Sequence, residues 1–164
     1  MGVGLDQINV SILNILQEDA TLSTRDLAQK VGISQASCSR RVNRLRCDGY
    51  ILRTVAILDP RKLSFKSEFF IELKADRIDN LNISSLSRSL RSFPEVIECH
   101  VVLGDFDFFL RVVAKDVESF KEFAHGRLSK LPGILTVVYY PVVSEVKATK
   151  SLPLLTSVAE AASA

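Results

Sequence analysis

The sequence contains no long apolar run and no secretion signal. No stretch reaches the roughly 18 consecutive apolar residues that mark a membrane-spanning helix. Residues 1–6 lack the basic region and the apolar region that begin a signal peptide. These two absences predict a cytoplasmic protein that has no membrane partner.

Cysteine is scarce and is not arranged in pairs. The three cysteines, Cys38, Cys47 and Cys99, are odd in number, and none belongs to a C-x-x-C motif. Such a set predicts reduced thiols that pack in the fold, in preference to a disulfide framework, a metal site or a catalytic thiol. No metal and no cofactor is therefore expected.

The chain is long enough to form packed cores. Its 164 residues can make one medium domain or two small ones, and a hydrophobic content of 47% predicts a globular protein. The formal net charge is only +2, yet residues 34–53 contain five arginines and a single acid. A local positive excess of this kind is typical of surfaces that bind phosphate groups.

Most of these arginines belong to a predicted helix whose two ends are marked in the sequence. Ser34 suits the N-cap position, and Gly49 suits the position just after the helix. Between them, Cys38, Val42 and Leu45 recur at helical spacing and form a narrow apolar stripe. The remaining surface is polar and cationic, and by itself it could equally be an ordinary solvated face.

The preceding segment favours a DNA-binding interpretation. Residues 22–31 predict a short helix capped by Ser23, with Asp26 three positions later as in a capping box. Gly32 joins this helix to the next one, and the small side chain of Ala28 suits their close approach. Two short helices joined in this way indicate a helix-turn-helix, whose second helix enters the DNA major groove.

A double-stranded DNA interface is therefore predicted along the second helix. Its N-terminal side chains are small or carry amides, which suits base edges, while its arginines suit phosphates or bases. The candidate DNA-binding residues are Gln35, Ala36, Ser37, Ser39, Arg40, Arg41 and Arg44. Arg41 lies nearest the apolar stripe, so it could instead brace the motif.

The rest of the chain predicts a supporting first helix, a wing and a second domain. Residues 5–18 have helical periodicity, and the β-branched run 50–58 predicts a strand or wing that stops at Asp59-Pro60. Strands are then predicted over 68–75, 96–103, 108–113 and 134–146, with helices over 83–93 and 116–131. This β-α-β-β-α-β order is that of a ferredoxin-like fold. The predicted fold class is α+β, a winged helix-turn-helix followed by this ferredoxin-like domain.

One face of the predicted sheet has no helix to cover it. Phe70, His100 and Val102, with residues 106–113 and 137–142, place more apolar side chains on this face than solvated faces usually carry. A homodimer that buries the face against a second copy is therefore expected.

Changes of pattern along the chain set the predicted domain boundaries. They are a winged helix-turn-helix domain over residues 1–53, a linker strand or hinge over 54–62, a ferredoxin-like domain over 63–146 and a C-terminal tail over 147–164. The tail is rich in small residues and is expected to be partly disordered.

Several short motifs follow one another in both halves of the chain. The first half contains Leu27-Ala28-x-x-Val31-Gly32-Ile33-Ser34, Arg41-Val42-x-x-Leu45 and Gly49-x-Ile51. The second half contains Gly104-Asp105-Phe106-Asp107 before one strand and Leu131-Pro132-Gly133 before the last strand. This ordered set resembles the leucine-responsive regulator/AsnC (feast-famine) family, and the resemblance extends from about Leu5 to Lys147.

The resemblance implies a bacterial or archaeal transcription regulator that forms dimers and often octamers. It also implies that the ferredoxin-like domain senses a small effector, an amino acid, beside the Gly-Asp-x-Asp turn. The candidate effector-binding residues are Gly104, Asp105, Phe106, Asp107 and Thr136. The sequence departs from the family pattern at Cys47-Asp48 and in the long tail.

The two aspartates of the turn also raise the alternatives of catalysis and metal binding. Asp105 and Asp107 could form an acid/base pair or a cation site, but no histidine, lysine or nucleophile lies near them in sequence. A metal site would need more oxygen ligands than these two carboxylates provide. His100 and His125 are isolated and are expected to be packed or exposed. Effector binding together with turn geometry is therefore the preferred interpretation.

The competing functional hypothesis is a siroheme-decarboxylase-like enzyme or a tetrapyrrole-binding protein with the same two-domain layout. Such a protein should carry basic and histidine side chains in the cleft of its second domain. Residues 61–164 are instead nearly balanced, with 14 basic and 13 acidic side chains. The sequence therefore favours a DNA-binding transcription regulator that is not an enzyme.

Overall fold

The computed structural model describes residues 5–76 and 80–154, apart from the side chains of residues 80 and 81. The chain divides into two compact units. Among the described residues, the first unit is built from residues 5–57 and 147–154, and the second unit is built from residues 58–76 and 80–146. Among the described residues, no helix has both the length and the apolar character needed to cross a bilayer.

The first unit contains three short helices. They are α1 (Gln7–Glu18), α2 (Thr24–Val31) and α3 (Gln35–Cys47). The side chains of Asp6, Ser23 and Ser34 cap them, each accepting a hydrogen bond from the backbone N–H three residues further on. The predicted caps Ser23 and Ser34 are thus confirmed. Gly49 follows α3 with a φ of 80°, which glycine adopts without strain.

A small apolar core joins the three helices. The predicted stripe is confirmed, because Cys38, Val42 and Leu45 are all buried, and they pack with Ile12 of α1 and Leu27 of α2. Burial raises the pKa of the Cys38 thiol, which keeps it protonated and suits a packing role. All three cysteines are free thiols, but Cys47 and Cys99 are exposed, so the predicted packing role holds only for Cys38.

The strand predicted over residues 50–58 does not form in the single chain. Ile51 packs against the helical core, but the following residues form no strand, and Leu52, Val55 and Ile57 are exposed. A strand needs a neighbour to accept and donate its backbone hydrogen bonds, and none of the described residues pairs with this segment. Residues 52–58 are therefore an extended connector, and their β-branched composition is not sufficient to make them a strand.

The second unit has the predicted β-α-β-β-α-β order. Its elements are β1 (Ser67–Ala75), α4 (Asn80–Arg91), β2 (Val96–Val101), β3 (Phe108–Ala114), α5 (Val117–Phe123) with a π-helical turn (Ala124–Leu128), and β4 (Ile134–Pro141). The four strands form an antiparallel sheet in the order β2-β3-β1-β4, which confirms the ferredoxin-like prediction. β2 and β4 end earlier than predicted, at residues 101 and 141.

The core of the second unit lies between the sheet and its helices. Alternate residues of β1 and β3 are buried, among them Ile71 and Leu110. They pack with Leu90 of α4 and with Phe120 and Phe123 of α5. Both helices therefore cover one face of the sheet, and we call the opposite side the open face.

Aromatic rings and ion pairs share the open face. The rings of Phe70 and Phe109 stack with centroids 5.3 Å apart. Arg111 contacts Glu68 at 2.5 Å and Glu98 at 3.4 Å, and these hydrogen-bonded carboxylates raise the pKa of its guanidinium. Half-buried rings beside a charge cluster make this face unlike an ordinary solvated surface.

The start of the C-terminal tail folds back onto α1. The side-chain amide of Gln17 accepts a hydrogen bond from the Leu152 N–H at 2.8 Å and donates one to the Leu152 carbonyl at 2.9 Å. Ser151 adds a third bond to the Gln17 carbonyl. Residues 151–154 are therefore ordered, while residues 155–164, on which the prediction of partial disorder also falls, lie outside the described part of the chain.

Gly133 closes the turn before β4 and provides a stability test. Its φ is +86°, and a Cβ added there would collide with the side chain of Asn82. We expect Gly133→Ala to lower the free energy of unfolding by about 1–3 kcal/mol, measured by urea denaturation. Gly126→Ala is the matched control, because a Cβ at Gly126 meets open space and should be neutral or slightly stabilising. Equal effects of the two variants would refute this account of the turn.

Candidate nucleic-acid interface and effector turn

The exposed surface of α3 contains most of the predicted DNA-binding residues. Gln35 and Ala36 are exposed at its first turn, and Ser37 and Ser39 are half-buried. Ser34 caps this end of the helix, and the chain enters it through the Gly32 turn. Short polar side chains at the start of the helix are well placed to approach base edges.

Two arginines extend from the same helix into solvent. Arg40 is exposed, and Arg44 is exposed apart from a contact with Asp48, whose carboxylate lies 3.5 Å from its Nε. An exposed pair of this kind is weak in water, so Arg44 can exchange Asp48 for a phosphate at little cost. Both arginines border a recess of about 400 Å³ between α1 and α3.

Arg41 is placed differently from the other predicted DNA contacts. Its Nη1 lies 2.5 Å from Asp6 Oδ2 and 3.0 Å from Asn9 Oδ1, so the guanidinium binds α1. The Asn9 N–H and the Arg41 guanidinium together lower the pKa of the Asp6 carboxyl and keep it ionised. The geometry favours the bracing alternative for Arg41.

The two carboxylates of the Gly104-Asp105-Phe106-Asp107 turn lie in different environments. Asp105 is exposed, whereas Asp107 is only 5% exposed. The Asp107 Oδ2 accepts the Ala75 N–H at 2.8 Å, and its Oδ1 lies 3.4 Å from Lys74 Nζ. The carboxylate therefore takes the place of a strand partner at the end of β1 and already has a cation, so it is not open to an effector in the way the sequence predicted.

Thr136 and Phe106 border the same region of the second unit. Thr136 on β4 pairs in register with Lys74 on β1, and Lys74 contacts Asp107. The Phe106 ring packs 5.8 Å from that of Phe109 on the open face. The fold thus brings Asp107 and Thr136 to the two sides of Lys74, a residue that sequence reasoning missed. The alternation of side chains along β1 in the sequence could have identified Lys74 as a residue of the non-core face.

Metal chemistry has no support at these positions. Within residues 5–76 and 80–154, no group of three or more histidine, cysteine, aspartate or glutamate side chains is arranged to hold a metal ion. Asp107 is also committed to a backbone N–H and a lysine, which leaves Asp105 as a single exposed carboxylate. The turn can offer one carboxylate and backbone groups to a small polar ligand.

A helix-turn-helix unit and a separate ferredoxin-like unit in one chain define a two-domain DNA-binding regulator. Comparison with known proteins agrees with this class. Residues 5–51 match the winged helix-turn-helix DNA-binding family, and residues 68–152 match the Lrp/AsnC ligand binding domain. The chain is 34% identical over 154 residues to the transcriptional regulator AzlB of Bacillus subtilis (strain 168), covering 94% of this chain and 98% of that one.

Solved structures give the same result, and the chain belongs to the Lrp/AsnC family of transcription regulators. An AsnC family regulator from Agrobacterium tumefaciens is 37% identical, with a TM-score of 0.86 and coverage of 91% of this chain and 97% of that one. A transcriptional regulator from Neisseria meningitidis, solved in complex with L-methionine, is 29% identical, with a TM-score of 0.88 and coverage of 92% and 97%. The protein is therefore a regulator, and the siroheme-decarboxylase-like alternative is not supported.

Proposed function

We propose that α3 is the DNA-recognition helix of this regulator. The observation that carries the proposal is the exposed polar and cationic surface of a capped second helix within the matched helix-turn-helix region. Arg40 and Arg44 bind phosphates or base edges, and Ala36 makes an apolar base contact. Gln35, Ser37 and Ser39 read bases at the N-terminal end.

We also propose that the second unit senses an amino acid at the Gly104 turn. Support comes from the match to a ligand-binding domain and from the L-methionine complex of the Neisseria meningitidis relative. The exposed carboxylate of Asp105 pairs with the α-ammonium group, and backbone N–H groups of the turn take the α-carboxylate. Phe106 and Thr136 line the site, while Asp107 holds the turn against β1.

The active form proposed here is a homodimer, able to assemble further into an octamer, that works in the cytoplasm. The half-buried aromatic rings of the open face support burial against a second copy. A two-fold dimer would present two α3 helices to half-sites about 34–36 Å apart or a multiple of that spacing. The amino acid changes DNA occupancy by favouring one assembly over another.

The functional boundaries proposed from the sequence differ in two respects from the compact units, which divide the hinge between residues 57 and 58 and group the tail with the first unit. DNA binding is assigned to residues 1–53, the hinge to 54–62 and sensing to 63–146. The described part of the tail, residues 147–154, groups with the DNA-binding unit, in which Leu152 is held by Gln17 of α1. It is therefore proposed to stabilise that unit.

Alanine substitutions at Arg40 and Arg44 test the recognition helix. Each variant is expected to bind DNA at least about tenfold more weakly, because it loses a base or phosphate contact. If the contact is to phosphate, the slope of log K against log salt falls by about 0.9. Both quantities are measured by fluorescence anisotropy with a duplex that the wild-type protein selects from a random pool.

Arg91→Ala is the control for these variants. Arg91 is an exposed arginine at the end of α4, so its removal changes the net charge equally without touching α3. We expect it to leave affinity and salt slope unchanged. Wild-type binding by both Arg40→Ala and Arg44→Ala would contradict the proposed role of α3.

A further inference from the structure

One carboxylate joins the beginning of α1 to the middle of α3. Asp6 Oδ1 accepts the Asn9 N–H at 2.7 Å and so caps α1, while Asp6 Oδ2 binds Arg41 Nη1 at 2.5 Å. Asn9 completes the contact, because its own side-chain oxygen accepts a second hydrogen bond from the same Nη1 at 3.0 Å. The guanidinium of Arg41 is thereby held by two acceptors of α1.

Arg41 faces the protein, in contrast to the neighbouring arginines of α3. Its side chain is 30% exposed, whereas that of Arg44 is 64% exposed. Val42, the next residue, is buried in the core of the unit, so Arg41 lies at the edge of the buried surface of α3. A cation in this position supports the packing of α3 against α1 through its bonds to Asp6 and Asn9.

We infer that Asp6, Asn9 and Arg41 form a positioning clamp that holds α3 in the orientation required for sequence-specific DNA binding, without a DNA contact by Arg41. This inference rests on the proposed role of α3 in recognition. The physical reason is geometric. Base-edge hydrogen bonds tolerate only small errors in distance and angle, so a helix free to shift against α1 loses them first. Contacts to phosphate are less affected, because charge attraction has weaker directional demands.

The clamp and simple electrostatics predict opposite effects on DNA affinity when the Asp6 carboxylate is removed. Asp6 is an acid bordering the same recess as Arg40 and Arg44. By charge alone, its removal should increase affinity for DNA, because a negative group near phosphates is lost. The clamp instead predicts that removing this carboxylate weakens specific binding.

Asp6→Asn is the most informative variant, because asparagine is also a good N-cap and preserves the start of α1. We expect about tenfold weaker binding to the selected duplex and little change for a scrambled duplex of the same composition. Arg41→Met should behave in the same way, with an unchanged salt slope. The double variant should be no weaker than Arg41→Met alone, because that substitution already removes the contact with Asp6.

Asp26→Asn serves as the charge-matched control. Asp26 lies at the first turn of α2 and bonds the Ser23 hydroxyl, so its removal deletes an acid of the same unit without disturbing the clamp. We expect unchanged or slightly tighter binding to both duplexes. Arg41→Lys keeps the charge but replaces the planar guanidinium with a compact ammonium on a different stem, so it should recover only part of the loss caused by Arg41→Met.

Two results would overturn the clamp. One is tighter binding of the selected duplex by Asp6→Asn, and the other is a fall of about 0.9 in the salt slope of Arg41→Met, the sign of a phosphate contact. Failure of the recognition role is distinguishable, since Arg40→Ala and Arg44→Ala would then bind as the wild type does. The clamp is still tested without DNA by a thermal-unfolding double-mutant cycle, in which additive effects of Asp6→Asn and Arg41→Met would refute the contact.

Discussion

Asp107→Ala is expected to lower the free energy of unfolding by about 1–3 kcal/mol, the usual cost of leaving a buried polar group without a partner. The substitution removes the acceptor of the buried Ala75 N–H and the counter-ion of Lys74. No other described strand residue replaces the carboxylate, because β3 begins only at Phe108. Urea denaturation followed by circular dichroism measures the loss.

Asp105→Ala is the matched variant, and it separates the structural carboxylate from the proposed ligand contact. Asp105 is exposed, so its removal should leave stability within about 0.5 kcal/mol of wild type. In a thermal-shift screen of the standard amino acids, Asp105→Ala should lose the stabilisation that the effector gives to wild type. An effector that raises the melting temperature of both proteins equally would place the binding site elsewhere.

Phe109→Glu is expected to convert the proposed dimer into a monomer and to raise its dissociation constant by at least about 100-fold. Phe109 stacks on Phe70 in the open face, and Glu72 is its cross-strand neighbour on β1. A glutamate there would place a second negative charge beside Glu72 in the surface that must be desolvated. Sedimentation equilibrium at micromolar concentration measures the change.

Val117→Glu controls for the loss of an exposed apolar side chain. Val117 begins α5, which packs on the other face of the sheet. This variant should therefore dimerise as the wild type does. A Phe109→Glu protein that keeps the wild-type dimer Kd and a native circular dichroism spectrum would exclude the open face as the dimer interface.

Local sequence signals were sufficient to predict the helices of the first unit. A cap is a bond between residues three positions apart, and the buried stripe of α3 repeats every three or four residues, so both can be found in a short window. The order of strands and helices in the second unit was equally accessible. Alternation at a period of two marks half-buried strands such as β1.

Contacts between distant positions could not be predicted in the same way. Asp6 and Arg41 are 35 residues apart, and Ala75 and Asp107 are 32 residues apart. Each side chain alone fits its local pattern, Arg41 as a cation of a DNA-binding helix and Asp107 as a turn residue. Only the folded structure shows that Arg41 binds the beginning of α1 and that Asp107 binds the end of β1. The same limit explains residues 50–58, where β-branched side chains predicted a strand but no described segment provides its partner.

The bond between Gln17 and Leu152 has a consequence for how the protein is made. The two residues are 135 positions apart, and a chain emerging from the ribosome exposes its N-terminal segments first. The three helices are therefore synthesised well before the segment that closes onto α1. A nascent helix-turn-helix must persist without this contact until residues 151–154 emerge, by which time the whole sheet unit has been translated. Truncated products of translation consequently lack one of the attachments of α1.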